Sequence, residues 1–147
     1  MDAQASRMVM PLHFWAVAIS GLAWNGFGAV QFAGQVTQTE SAMMGGGMTP
    51  EQVAVYANLP VWMDLVFGLG TVGGVIGSLL LLLRNKLAVP VFAASLVGYI
   101  ILFVGDIVNG VFASFGTSQI VILSTVVAIA ASLFWFARRL RTQGSLG

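Results

Sequence analysis

Two aspartates lie inside long apolar stretches and are the first candidates for chemistry. Asp64 precedes Arg84, and Asp106 follows Lys86, by about 20 residues, which is about 30 Å of helix. Ionisable side chains within a membrane span are energetically expensive and commonly functional. The spacing therefore predicts that both carboxylates lie in one layer, close to the membrane interface opposite these basic residues.

The two aspartates differ in their expected helix environments. Asp64 falls near the start of its stretch, where a helix N-terminus favours negative charge, so a solvated interfacial carboxylate is the simpler interpretation. Asp106 falls near the end of its stretch, where the helix dipole disfavours an anion. It must be hydrated, protonated, hydrogen-bonded or paired with a cation from elsewhere. Asp106 is therefore the stronger functional candidate.

Amide and indole side chains are expected at the same depth as the aspartates. We expect one outward-facing polar pocket that binds a small solute, built from Asn25, Asp64, Asp106, Asn109, Trp24 and Trp62. For Asn25, the simpler alternative is an interhelical hydrogen bond, typically worth about 0.6 kcal/mol.

Few other residues could support catalysis or hold a cofactor. The absence of cysteine excludes disulfides, thiolate nucleophiles and iron–sulfur clusters, and a single histidine, His13, leaves no second haem ligand. Thioethers can bind Cu(I), but without nearby histidine or cysteine the methionines are better explained as part of a flexible linker; these are Met43, Met44 and Met48. We expect no enzyme activity, no cofactor and no metal site.

The composition identifies the solvent of this chain as lipid. Of its 147 residues, 58% are hydrophobic and 7% charged, against about 25% charged in soluble domains. Soluble enzymes and nucleic-acid binders are thereby excluded. About 20 apolar residues cross a bilayer, which predicts an all-α integral membrane bundle, one domain over residues 1–147, with four spans at about 12–34, 61–83, 87–109 and 117–137.

The distribution of basic residues predicts one orientation. The loops at about 35–60 and 110–116 contain no lysine or arginine. By the positive-inside rule, both termini are expected in the cytoplasm of a bacterium, beneath its inner membrane, with loop 35–60 outside. A cleaved signal peptide is the less favoured alternative for the N-terminus. The six basic residues are Arg7, Arg84, Lys86, Arg138, Arg139 and Arg141.

The first outer loop is predicted to contain a short amphipathic helix. Thr49 as N-cap, Pro50 at the first helical position and Gln52 two residues later form the pattern of a capping box. Such a helix would lie on the outer membrane surface. The preceding residues 35–48, rich in glycine and methionine, are predicted to be flexible.

The second span carries small residues at helical spacing. Glycine lets helix backbones approach closely, which matters in lipid, where no hydrophobic force drives helices together. We expect this face to pack within the bundle, and self-association is the alternative. Its residues are Gly70, Gly73, Gly74, Gly77 and Ser78.

Several segments together resemble a group of small four-helix inner-membrane proteins of proteobacteria, some of which are described as sugar transporters. The resemblance extends over about residues 20–103 and is carried by residues 22–29, 48–52, 60–62, 73–84 and 88–93. It implies a transport-like role and identifies no substrate.

The expected function is therefore transport-like handling of a small, neutral or polar solute from the outer face. Four closely packed helices leave little room for a pathway, so we expect a homo-oligomer. The alternative is a non-catalytic accessory subunit that packs through the glycine face of its second span against a larger membrane complex. The lipid bilayer is a partner in either case, and nucleic acid is not.

Overall fold

The computed structural model describes residues 9–147, which form seven helices and contain no β-strand. The all-helical expectation is confirmed for this part of the chain. The four long helices are α1 (Leu12–Thr37), α4 (Val61–Leu82), α5 (Ala88–Val108) and α7 (Thr117–Thr142). The short ones are α2 (Glu40–Gly45), α3 (Pro50–Ala57) and α6 (Val111–Phe115).

Within residues 9–147, three helices are long and apolar enough to cross a membrane: α4, α5 and α7. This indicates a multi-pass membrane protein. Many large apolar side chains of these helices point away from the bundle, including Leu65, Val72, Ile101 and Val121. Lipid is the solvent that accommodates such a surface.

The long helices alternate in direction, which divides the bundle into two ends. We call the end with Arg84, Lys86, Arg138, Arg139 and Arg141 the basic end, and the opposite one, with Glu40, Glu51, Asp64 and Asp106, the acidic end. At the basic end, the last residue is tied to the turn between α4 and α5. Gly147 N donates to Arg84 O at 2.8 Å, and Lys86 N donates to Gly147 O at 2.9 Å. Arg7, which the orientation prediction also uses, lies outside the described residues.

Two groups of buried side chains fill the bundle. The basic-end core is centred on Phe14, Leu81, Phe92 and Leu140, which bring all four long helices together. The acidic-end core comprises Met63, Tyr99, Leu102, Leu123 and Ala130, from α4, α5 and α7.

Helix α4 packs directly against α5 through its glycines. A Cβ atom added to Gly70 would lie 2.7 Å from the Tyr99 ring, and one added to Gly77 would lie 2.7 Å from the Phe92 ring. From the facing helix, a Cβ atom at Gly98 would lie 2.9 Å from the carbonyl oxygen of Val66. These glycines therefore allow ring and backbone contacts that any side chain would prevent.

The same helix packs against α1 on its other side. A Cβ atom at Gly74 would overlap the side-chain amide of Asn25, whereas one at Gly73 would lie 3.3 Å from the Cβ atom of Ser95 in α5. The small-residue face of α4 is thus shared between its two neighbours within the chain.

The connection between α1 and α4 is more ordered than expected. The capping box of α3 is present, since Thr49 Oγ1 accepts from Gln52 N and Gln52 Oε1 accepts from Thr49 N. The prediction of a flexible segment at 35–48 was wrong in part: α1 continues to Thr37, and Thr39 caps α2 by accepting from Ala42 N at 3.2 Å.

The connection from α5 to α7 also contains a helix that sequence reasoning missed. Two glycines with positive φ bound α6: Gly110 at 76° and Gly116 at 75°. This left-handed backbone favours glycine, and it turns the chain twice within a few residues.

The glycine packing predicts that a bulky side chain at a packed glycine destabilises the bundle, whereas one at an exposed glycine does not. Gly73→Ile and Gly74→Ile should each lower the melting temperature in detergent, because overpacking typically costs about 1–3 kcal/mol. Gly34→Ile is the control, since Gly34 is exposed and a Cβ atom there meets nothing within 4 Å. Equal melting temperatures for the three variants would contradict the packing described above.

Candidate functional site

A cavity of about 190 Å³ lies among the four long helices in the acidic half of the bundle. Most of its wall is apolar, with Met63, Phe67, Leu102 and Leu123 among the lining side chains. The polar side chains that line it are Gln31, Gln35, Tyr56, Thr71, Tyr99, Asp106 and Gln119, together with the indole of Trp24. The site is therefore a mainly apolar space with a few groups able to hydrogen-bond.

Asp106 is the charged side chain of this cavity. It is 4% exposed and accepts a hydrogen bond from Gln119 Nε2 at 3.4 Å. This distance is long for such a bond. A carboxylate has about four acceptor sites on its two oxygens, so Asp106 can accept from further donors. The basic residues of the described chain lie at the opposite end of the bundle. A bound molecule that donates a hydrogen bond to Asp106 would therefore stabilise the buried carboxylate.

Sequence reasoning missed Gln119, although a signal was available. It lies in the first turn of α7 and is one of few strongly polar residues in that predicted span. Its depth matches the layer predicted from the aspartates. A search of that layer for every strongly polar residue, and not for acids and asparagines alone, would have included Gln119.

Helix α3 and the residues after it cover the cavity at the acidic end. Tyr56 and Leu59 line the space, and the Tyr56 ring packs edge-on against Phe115 of α6 with centroids 5.0 Å apart. Gln52 Nε2 also donates to the carbonyl oxygen of Ser114 at 3.3 Å. The two short helices α3 and α6 therefore hold each other over the acidic end.

The pKa of the Tyr56 phenol depends on its position beside the cavity. Burial raises the pKa of its phenol above the ordinary value of 10.0, and the negative charge of Asp106 raises this pKa further. Both effects disfavour the phenolate. At neutral pH the Tyr56 hydroxyl keeps its proton and remains a hydrogen-bond donor.

Of the six residues predicted to form a polar pocket, Trp24 and Asp106 line the cavity. Asn25 instead faces α4, where its Nδ2 donates to Gly21 O at 2.8 Å and to Ser78 Oγ at 3.4 Å. Ser78 Oγ in turn donates to Gly74 O at 2.8 Å. Asn25 is thus placed in the interhelical hydrogen bond that was its simpler interpretation.

The other three predicted residues surround the site without lining it. Asp64 is half-buried in the first turn of α4, where its Oδ1 accepts from Gln35 Nε2 at 3.5 Å. Asn109 ends α5 and donates to Gly105 O at 2.9 Å. Trp62 is 42% exposed and packs across Gly105. The structure therefore brings two members of the predicted pocket together and places four outside it.

The described residues contain no cluster of three or more histidine, cysteine, aspartate or glutamate side chains that could hold a metal ion. Every buried side-chain nitrogen or oxygen among them has a hydrogen-bond partner. The chemistry that this arrangement offers is recognition by hydrogen bonds and apolar contact.

Neither a protein-family model, nor a curated protein, nor a solved structure matches this chain.

The contact of α3 with the cavity predicts that the charge of Asp106 influences the pKa of Tyr56. In a Tyr99→Phe background, Tyr56 is the single tyrosine, and its pKa can be followed by the absorbance of the phenolate. Asp106→Asn should lower this pKa, because it removes a negative charge, yet leave it above 10.0, because burial persists. Glu51→Gln, in the exposed first turn of α3, is the charge-matched control. An unchanged Tyr56 pKa in Asp106→Asn would show that α3 does not hold Tyr56 over the carboxylate.

Proposed function

We propose that α1 is a fourth membrane span, so that the chain is a four-span bundle. Its 26 residues extend about 39 Å, more than the 30 Å hydrocarbon core requires. Its Asn25 side chain is buried against α4, and the exposed Gln31 borders the cavity. Exposed apolar side chains such as Ile19, Phe27 and Val30 are suited to lipid.

The proposed orientation places the basic end in the cytoplasm of a bacterial cell and the acidic end outside its inner membrane. The five basic residues of the described chain all belong to one end, and cytoplasmic loops carry the excess of lysine and arginine. Helix α1 begins and α7 ends at the basic end, which would put both termini in the cytoplasm.

The proposed function is binding and transport-like handling of a small uncharged solute in the cavity. The observation that carries this proposal is the carboxylate of Asp106, buried in a mainly apolar cavity with one long hydrogen bond from Gln119. A cavity of about 150 Å³ is known to admit benzene, so about 190 Å³ suits a molecule with one ring or a short carbon chain. Hydroxyl groups on the solute would donate to Asp106 and accept from Gln119.

An accessory subunit of a larger membrane complex is less well supported. That hypothesis relied on a free small-residue face of α4. Gly70 and Gly77 face ring side chains of α5, and Gly74 faces α1, all within the chain. The glycine face is therefore occupied and gives no reason to expect a docked partner.

The orientation predicts opposite labelling of two engineered cysteines. The natural chain has none, and both Ser41 in α2 and Gln143 after α7 are exposed. In intact Gram-negative cells, a membrane-impermeant maleimide should label Ser41→Cys, whereas Gln143→Cys should react only after the inner membrane is permeabilised. Labelling of both in intact cells would overturn the proposed topology.

Solute handling predicts a carboxylate-dependent flux. Proteoliposomes with the full chain should take up at least one solute from a radiolabelled panel running from glycerol to monosaccharides, above empty liposomes. Asp106→Asn should slow this uptake about tenfold, because a hydrogen bond to a charged group is lost. Glu40→Gln removes the same charge from an exposed site and should leave uptake unchanged. If no solute moves and the chain instead co-purifies with one fixed partner in mild detergent, the accessory role replaces this proposal.

A further inference from the structure

A second concave surface adjoins the cavity on the side of the bundle where α1 faces α7. This groove, of about 680 Å³, is almost entirely apolar. Ala16 and Ser20 line it from α1, and Ile129 and Ser132 line it from α7. At the same seam, a Cβ atom at Gly21 would lie 3.0 Å from Leu133, so the two helices touch through a side chain there.

The groove and the cavity meet at one side chain. Trp24 lines both spaces and is 36% exposed. From Trp24 the groove follows α1 back to Ala16, which is about 12 Å of helix toward the basic end. A ligand that passes the Trp24 ring could therefore occupy both the cavity and the groove.

The cavity is lined by its most exposed apolar side chains where the same two helices face each other. Its lining residues on α4 and α5 are buried, such as Met63 at 2% and Tyr99 at 3% exposed. Those at the seam are not: Phe27 of α1 is 60% exposed and Ile122 of α7 is 58% exposed. With the acidic end covered by α3, the side that faces lipid is the more open route.

We propose that the occupant of this site is a membrane-dissolved amphiphile, with a small hydroxylated ring in the cavity and a hydrocarbon tail in the groove between α1 and α7. This inference rests on the proposed binding function and names its ligand class. The ring matches the cavity volume, and its hydroxyl group donates to Asp106. The tail matches a lipid-facing groove whose wall is apolar.

The two halves of such a ligand make different demands on the protein. The hydrocarbon tail gains no hydrophobic free energy on leaving lipid, so its binding depends on close packing in the groove. The ring hydroxyl, by contrast, gains a charge-assisted hydrogen bond at Asp106, which hydrocarbon cannot offer. Filling the groove should therefore displace the tail but leave a tailless ring able to bind.

The test follows quenching of Trp24 by brominated probes in nanodiscs. Trp15, Trp62 and Trp135 are replaced by phenylalanine, so that Trp24 reports alone. The probes are 2-bromo-4-nonylphenol, 1-bromo-4-nonylbenzene and 2-bromophenol. The nonylphenol should saturate Trp24 quenching at a mole fraction about tenfold below that of the nonylbenzene, which lacks the hydroxyl group.

Two serines of α7 provide a matched pair of variants. Both are exposed, but Ser132 lines the groove, whereas Ser124 lies at the surface between α5 and α7. Ser132→Leu should weaken nonylphenol binding about tenfold, since overpacking displaces the tail, and should leave 2-bromophenol binding unchanged. Ser124→Leu should alter neither. If the triple substitution prevents folding, the same probes are compared by the melting temperature of the natural chain and of the two leucine variants.

The possible outcomes distinguish the amphiphile proposal from the proposed binding site in the cavity. If 2-bromophenol saturates but Ser132→Leu and Ser124→Leu bind nonylphenol alike, the groove holds no tail and the amphiphile is rejected, while the cavity site stands. If neither phenol saturates Trp24 or shifts the melting temperature, the amphiphile is rejected and the cavity site loses its support as well. Loss of nonylphenol binding in Ser132→Leu alone is the result that the amphiphile requires.

Discussion

The close approach of α4 to both of its neighbours is the constraint on which the rest of the bundle depends. Gly70 and Gly77 admit the rings of Tyr99 and Phe92 against the α4 backbone, and Gly74 admits the amide of Asn25. Because α1 and α5 both pack on this one helix, α7 completes the bundle mainly against α5 and meets α1 through side chains such as Leu133. The cavity and the groove are what this unequal packing leaves open.

Buried hydroxyl groups of α4 and α5 donate to helix carbonyl oxygens, a solution that is not open to Asp106. Thr71 donates to the carbonyl oxygen of Phe67, and Ser95 donates across to that of Gly70 at 2.6 Å. Such bonds bring hydroxyl groups into apolar surroundings without leaving them unpaired. A carboxylate cannot use this solution, because it needs donors and every helix carbonyl is an acceptor. Gln119 is the donor that Asp106 has in the described chain, and the cavity beside it is where another can enter.

The sequence predicted the height of Asp106 along its helix, but neither the depth of Asn25 nor the directions of side chains around the helices. A rise of 1.5 Å per residue placed Asp106 correctly toward the acidic end, but Asn25 lies at the middle of α1, against Gly74 and Ser78 in the basic half of α4 and outside the predicted layer. The rise also could not show that Asn25 points at Gly74 while Asp106 points at the cavity. That distinction depends on which helix lies beside which, and hence on long-range packing. The α3 capping box was predictable because it involves only Thr49 and the next three residues. Helix α6 was not predicted, because its bounds depend on two positive-φ glycines in a short connection whose sequence is typical of a simple turn.

The same packing limits how any solute could cross the membrane through this chain. Toward the basic end the cavity gives way to the core around Phe14, Leu81 and Phe92, all at most 2% exposed. A continuous pathway through the bundle would have to disrupt this core and the glycine contacts of α4 beside it. The seam between α1 and α7 has neither feature, since it already contains a groove and is held there by side chains. Separation of these two helices therefore disturbs the least packing, and an oligomer that seats a neighbour at this seam would enclose a route that one chain leaves open to lipid.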